Sequence, residues 1–228
     1  MKTGLSYVVT DPNGYILKEF GSLLENYGYK LKILNLMDFS KSLKYNPLAY
    51  VHSERDIEKL VDILLQDTQT NSIFGEKTDT LLINGTKTLL QALIGAIVDK
   101  KFSDNEKNLN SVVELLKLFI TKDEGVNLES VDLYFKELEA INPNHFAVSK
   151  YKAFRSLNKR LGNIIVNCAT CLAPFNMPQV QDLVRKDELE LDKLGDEKTV
   201  LFILYPHGDW TFHFFVSILY MQLFSISD

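Results

Sequence analysis

Cysteine is scarce in this chain. Two in 228 residues, Cys168 and Cys171, exclude a disulfide-stapled scaffold and fit a reducing cytosol. Neither sign of charge dominates: 30 acidic against 25 basic side chains leave −5, which argues against a chain basic throughout and allows at most a local nucleic-acid patch. Long apolar runs are missing too. The run before Asp11 and Pro12 is too short for a secretory signal. Thr211 to Phe224, the longest near the C-terminus, falls short of a membrane span and contains His213. Internal repeats and low-complexity segments are absent.

Chemical signatures are equally thin. A phosphate-gripping loop needs glycines for close backbone approach, a Lys for the phosphates and a Ser/Thr for magnesium. The nearest strings, Gly75-Glu76-Lys77-Thr78 and Gly85-Thr86-Lys87-Thr88, each place a residue between Gly and Lys and read as helix starts. No G-x-S-x-G elbow, H-E-x-x-H pair or G-x-G-x-x-G fingerprint occurs. Catalysis by this chain alone is therefore not expected, and no catalytic residue, resident metal or cofactor is assigned to it.

What remains is an ordinary globular composition, long enough for one large domain or two small ones. Ser6 to Thr10 is a short β-branched run bounded by Asp11-Pro12-Asn13-Gly14, which predicts a strand entering a turn. Tyr15 to Tyr27 carries Ile16, Phe20, Leu23 and Leu24 at helical spacing, Gly28 stops it, and Lys30 to Leu36 alternates as a second strand. Strand, helix, strand opens a parallel α/β unit. From Ser53 the texture changes. Ser53 with Asp56 resembles a capping box, and Ile57, Leu60, Val61, Ile63 and Leu64 line one helix face. Further helical patterns cover Thr86 to Val98, Ser111 to Ile120, Leu128 to Leu138 and Asn144 to Leu172. No strand signal of similar strength falls between 53 and 195. Then Thr199 to Tyr205 reads as a fully apolar strand, and Thr211 to Phe224 as a helix. The fold class expected is α/β with a large all-α insertion over residues 51–195, and an α/β layer from residues 1–50 and 196–228.

Three side-chain patterns invite a functional reading. From Ile141 to Gln181 there is no Asp or Glu, while Lys150, Lys152, Arg155, Lys159 and Arg160 make a local basic excess. Lys152, Arg155 and Lys159 recur at three and four, on one face of a continuous helix, as a stripe for a nucleic-acid backbone or an acidic protein would. The plainer reading is a solvated face balanced by the acid-rich segment 182–197. Cys168 and Cys171, with His207 and His213 far downstream, have poor spacing for zinc and lie in an apolar run where cysteine behaves as a small hydrophobe. His52 and His145 read as exposed polar residues, and Trp210, in the loop before the last helix, as an anchor.

The strings taken in order carry a resemblance. SYVVTDPNGYI at 6–16, YNPL at 45–48, LLQALI at 89–94 and SVVELL at 111–116 are followed by NPNHFAVSKYKAF at 142–154, LAPFNMPQV at 172–180 and DELELDKLGDEKTVLFILYP at 187–206. Together they resemble the TraG-like conjugal DNA-transfer coupling proteins, the ATPases of type IV secretion systems in Gram-positive conjugative elements. LDKLGDEKT at 191–199 is the most distinctive. The resemblance implies a RecA-like parallel sheet interrupted by an all-alpha domain that recognises substrate on the cytoplasmic side. It also implies hexamers at the membrane, relaxase or other relaxosome protein or DNA as partners, and ATP with magnesium for the full-length family. Asp11, Pro12, Asn13 and Gly14 match the family's turn near the nucleotide site. The family's Walker A and Walker B segments lie outside the span matched here, so the resemblance reads as a middle portion, cytoplasmic and monomeric or weakly oligomeric by itself. Departures include Tyr15 for an acid, no aromatic pair within 79–88, and Pro206-His207-Gly208-Asp209 for a more polar stretch; Asp209 is given no role.

Overall fold

The computed structural model describes residues 5–70, 79–99, 103, 105–120 and 126–226, the side chains of 67–70 and 159 excepted. In chain order the regular elements are β1 (Tyr7–Pro12), α1 (Tyr15–Asn26), β2 (Lys30–Asn35), α2 (Glu54–Thr70), α3 (Thr80–Ile97), α4 (Leu109–Lys117) and α5 (Glu129–Ile141). They continue with α6 (Phe146–Arg155), α7 (Leu161–Cys171), α8 (Pro178–Val184), β3 (Thr199–Tyr205) and α9 (His213–Ile226). Two compact units result, one of residues Met1–Pro47 with Asp182–Asp228 and one of Leu48–Gln181.

The first unit is α/β. Its three strands are parallel in the order β1-β3-β2, so β3, apolar without a break from Val200 to Leu204, is central, as its lack of alternation requires. Against Val200, Phe202 and Leu204 of β3 pack Leu17 and Leu24 of α1, with Val9, Leu31 and Ile33 of the flanking strands. The helical spacing that identifies α1 is largely its outer stripe, since Ile16, Phe20 and Leu23 stay exposed while Gly21 is buried. Asp11 and Pro12, expected in the turn, belong to β1, paired in register with Leu204 and Tyr205. Proline is tolerated there because β1 is an edge strand. The turn proper is Asn13 (φ 62°) and Gly14 (φ 72°).

Residues 182–195, expected in the helical segment, pack with the sheet unit. Lys32 of β2 is buried, and its ammonium donates to the Leu189 carbonyl and to Glu190 Oε2 at 3.0 Å. Glu188 Oε2 accepts the Lys44 backbone N–H at 2.9 Å, and Lys44 Nζ pairs with Asp182. These bonds tie the segment to β2 and the chain following it. Buried Gln222 of α9 adds an internal link, accepting from the Tyr45 hydroxyl (2.6 Å) and donating to the Pro47 carbonyl (2.7 Å).

In the second unit every described element is helical, apart from an isolated antiparallel bridge between Ile120 and Val126. The capping box forms as expected: Ser53 N–H donates to Asp56 Oδ2 (2.9 Å), and Asp56 N–H to Ser53 Oγ (3.3 Å). By length and composition α3 could cross a membrane, but most of it is buried inside the unit as its core helix. Gly85-Thr86-Lys87-Thr88 lies mid-helix in α3 rather than at its start, which Asp79 caps by accepting the Leu81 N–H (2.9 Å). Gly75-Glu76-Lys77-Thr78 lies outside the described residues. At Gly85 a Cβ would stand 2.5 Å from Ile164 Cδ1, so glycine sets how closely α3 and α7 cross. The continuous helix expected from Asn144 to Leu172 is two, because Asn158 takes φ 45° and ends the α-helical path between α6 and α7.

Candidate functional site

The C-terminal ends of all three strands share one edge of the sheet. On that edge β1 and β3 send their helices to opposite faces. Leu17 of α1 packs on the Val9–Phe202 side, whereas Thr10, on the next pleat, hydrogen-bonds through its hydroxyl to Tyr220 of α9. In parallel α/β sheets this divergence opens a crevice at the strand ends, the usual place for a ligand. Here the turn after β1 and the loop after β3 meet at that edge and are laced together. Asn13 N–H donates to the Tyr205 carbonyl (3.1 Å), and Asn13 Oδ1 accepts from His207 N–H (3.0 Å).

The aspartates beside the β1 turn and in the loop after β3 hold backbone. Asp11, 1% exposed, accepts Ile16 N–H on Oδ1 (3.1 Å) and Leu17 N–H on Oδ2 (2.8 Å), capping α1. Asp209 Oδ1 accepts from the Thr211 hydroxyl (2.6 Å) and N–H (2.9 Å), and these bonds hold its carboxyl below the usual range. The rim left outward is Tyr15, His207 and Trp210. Trp210 is 62% exposed, beside the His213 ring at 4.7 Å, and so is not the anchor expected.

The basic residues of the acid-free stretch lie in the helical unit and meet acids from other helices. Arg155 grips Asp132 of α5 with two bonds, Nε to Oδ1 (2.8 Å) and a terminal nitrogen to Oδ2 (3.0 Å). Lys152 pairs with Glu139 of α5, Lys150 with Glu58 of α2 (3.5 Å), and Arg160 with Asp79. The Lys159 side chain lies outside the described residues. Burial raises the Asp132 carboxyl, but hydrogen bonds from Tyr151 and Arg155 outweigh it and leave it below its ordinary value. Asp79 is lowered as well, chiefly by the Arg160 bond. The helix break at Asn158 separates Lys159 from Lys152 and Arg155, so the expected single helix face does not form. These partners lie on α2, on α5 and at the N-cap of α3, outside the acid-free stretch. The Asp132 and Glu139 pair, seven apart on α5, was the available signal.

The same unit holds an open cavity of about 580 Å³, between the start of α2, the end of α3 and the α5–α6 junction. Apolar Val51, Ile57 and Phe146 line it with Asp99 and His145. His145 is partly buried rather than exposed: Nδ1 accepts the Ala147 N–H (3.1 Å) and Nε2 meets Asp99 Oδ2 at 2.9 Å. His52 is exposed as expected. Cys168 and Cys171 pack in the core of this unit as free thiols, Cys168 Sγ facing the Thr86 carbonyl at 3.7 Å. Burial, then the neighbouring Cys171, pushes the Cys168 thiol well up, away from the reactive thiolate. His207 and His213 belong to the other unit.

The described residues thus form a parallel α/β unit, with its loops at the strand C-termini, and a helical unit. The chain belongs to the type IV secretory system conjugative DNA transfer family, whose model matches residues 1–227. It is a TraG-like conjugal transfer protein, and its work lies in conjugative DNA transfer through type IV secretion. No curated protein matches it.

Proposed function

We propose that this chain serves conjugal transfer as coupling-protein sequence in which the helical unit recognises relaxosome protein at the cytoplasmic side of the membrane. The α/β unit is read as part of a RecA-like layer, with Asn13 and Gly14 close to where the family holds its nucleotide. Parallel strands with their connecting turns at one edge support that reading. The chain by itself is read as non-catalytic and without a bound cofactor, because its 228 residues contain no phosphate loop. ATP, magnesium and hexamer formation are read as features of the coupling-protein family, and the purified chain is read as a monomer or weak oligomer.

One observation favours protein over DNA as partner. Lys150, Lys152, Arg155 and Arg160, the cations that would neutralise phosphates, are each engaged by a carboxylate. DNA binding through them would have to break those pairs before gaining from counterion release. The purified chain should retain relaxosome protein from a cognate mixture with shallow salt dependence. DNA binding that falls steeply with salt and disappears in Lys152→Glu/Arg155→Glu would establish the alternative, a DNA-gripping stripe. ATP hydrolysis by the purified chain would overturn the non-catalytic reading.

A further inference from the structure

Helix α6 begins at an unusual cap. Side chains that accept a hydrogen bond at the N-cap are commonly Ser, Thr, Asp or Asn; here it is His145, whose Nδ1 takes the Ala147 N–H at 3.1 Å. Its other ring nitrogen lies 2.9 Å from Asp99 Oδ2, just past the end of α3. An accepting Nδ1 carries no proton, so the proton sits on Nε2 and is donated to the carboxylate. One neutral imidazole thus bridges the first turn of α6 and the end of α3. The two side chains are 15% and 22% exposed and line the open cavity, so water reaches the pair.

Among the described residues, charged and titratable groups reach this cavity from three helices. His52 and Glu54 face the cavity from the start of α2. On α5, Tyr134 is pushed up to about 12, first by burial and then by the Asp99 charge. On α6 itself, Lys150 lies 5.0 Å over the Phe146 ring and is held by Glu58.

We propose that His145 is a pH-sensitive clip, which closes the first turn of α6 when neutral and releases it when protonated. A proton added at Nδ1 turns that atom from acceptor to donor, facing the Ala147 N–H, itself a donor. The cap bond is lost, and positive charge arrives at the positive end of the helix dipole. The same proton strengthens the hold on Asp99, so the ring stays by α3 while the α6 turn loosens. Histidine suits this role because it is the side chain type that changes charge between pH 5 and 8. The cavity wall formed by His145 and Phe146 is what becomes mobile.

The test is amide hydrogen exchange of the full chain from pH 8 to pH 5, corrected for intrinsic exchange, alongside NMR titration of the His145 ring. Protection of the Ala147 amide should fall about fivefold, the value of one cap bond, with the same midpoint as the ring. His145→Asn caps without titrating, so it should keep the protection and remove its pH dependence. Unchanged Ala147 protection while the ring titrates overturns the proposal, as does a ring that does not titrate in this range. Both of these readouts use the unsubstituted chain and do not depend on the variant folding.

Discussion

Replacing Asp11 by alanine should destabilise the sheet unit by about 2–3 kcal/mol. The carboxylate is 1% exposed and accepts two N–H groups that open α1, at 3.1 and 2.8 Å. A hydrogen bond to a charged group contributes about 1.5–3 kcal/mol, and loss of an N-cap acceptor costs about 0.5–2 kcal/mol. The two bonds leave one side chain for one helix end, so they overlap and the upper part of the single-bond range sets the scale. Alanine also leaves both donors without an acceptor at a site water reaches poorly. With a urea slope of about 1 kcal/mol/M for a unit of this size, the midpoint should drop by about 2 M. The chain's lone tryptophan, Trp210, belongs to the same unit, so fluorescence follows that unit's unfolding. Far-UV dichroism weighs the helical unit more heavily. Asp11→Asn keeps one carbonyl oxygen and should lie about midway. The reasoning is refuted if Asp11→Ala moves the fluorescence midpoint by less than about 0.3 M, well inside the expected shift, or if alanine and asparagine give the same loss.

Three further outcomes follow from particular contacts. Gly85→Ala should destabilise the helical unit by about 1 kcal/mol despite alanine's better helix propensity, because the new methyl meets Ile164, which is fully buried. In an Ile164→Ala background, which lacks both Cδ1 and the Cγ1 that the new methyl would meet at 2.9 Å, the same change should cost less in a urea melt followed by dichroism. Lys32→Ala should destabilise the sheet unit more than Lys30→Ala, since Lys32 is buried against the Leu189 carbonyl and Glu190, whereas the Lys30–Glu197 pair is exposed. Lys193 first, and then Lys32, hold the Glu190 carboxyl down at about 2 from an ordinary 4.5. A lowered carboxyl stabilises the fold when ionised, so this contribution is complete above about pH 4.5 and is lost as pH falls toward 2. Thermal melts of Glu190→Gln should show a flatter acid limb than the unsubstituted chain; an identical limb would remove Glu190 from the account.

Local chemistry was legible wherever neighbours in the chain decide the outcome. The central strand announced itself by an unbroken apolar run, Ser53 and Asp56 closed their box as spaced, and Gly28 ended α1 close to where it stands. The ordered strings also carried the family. What spacing could not tell was which side of an element would find a partner. Of the spaced residues Ile16, Phe20, Leu23 and Leu24, only Leu24 packs against the sheet, beside Leu17, while the other three stay exposed. Asp11 reads as a turn residue because Asp-Pro favours turns, but pairing with Leu204 keeps it in the strand and aims its carboxylate at α1. A helix pattern continues through Ser156 and Leu157, and the break depends on the positive φ adopted by Asn158.

The same division holds for the candidate sites. From composition and order alone come the α/β class, the helical texture of the middle, the local excess of cations and the conjugal transfer family, because each is a property of residues read along the chain. Only tertiary structure decided that those cations meet Glu58, Asp79, Asp132 and Glu139, and that His145 joins the end of α3 to the start of α6. Electrostatic pairing depends on distance in space, and the acids concerned stand on other elements than their partners, from the neighbouring α5 to the distant α2.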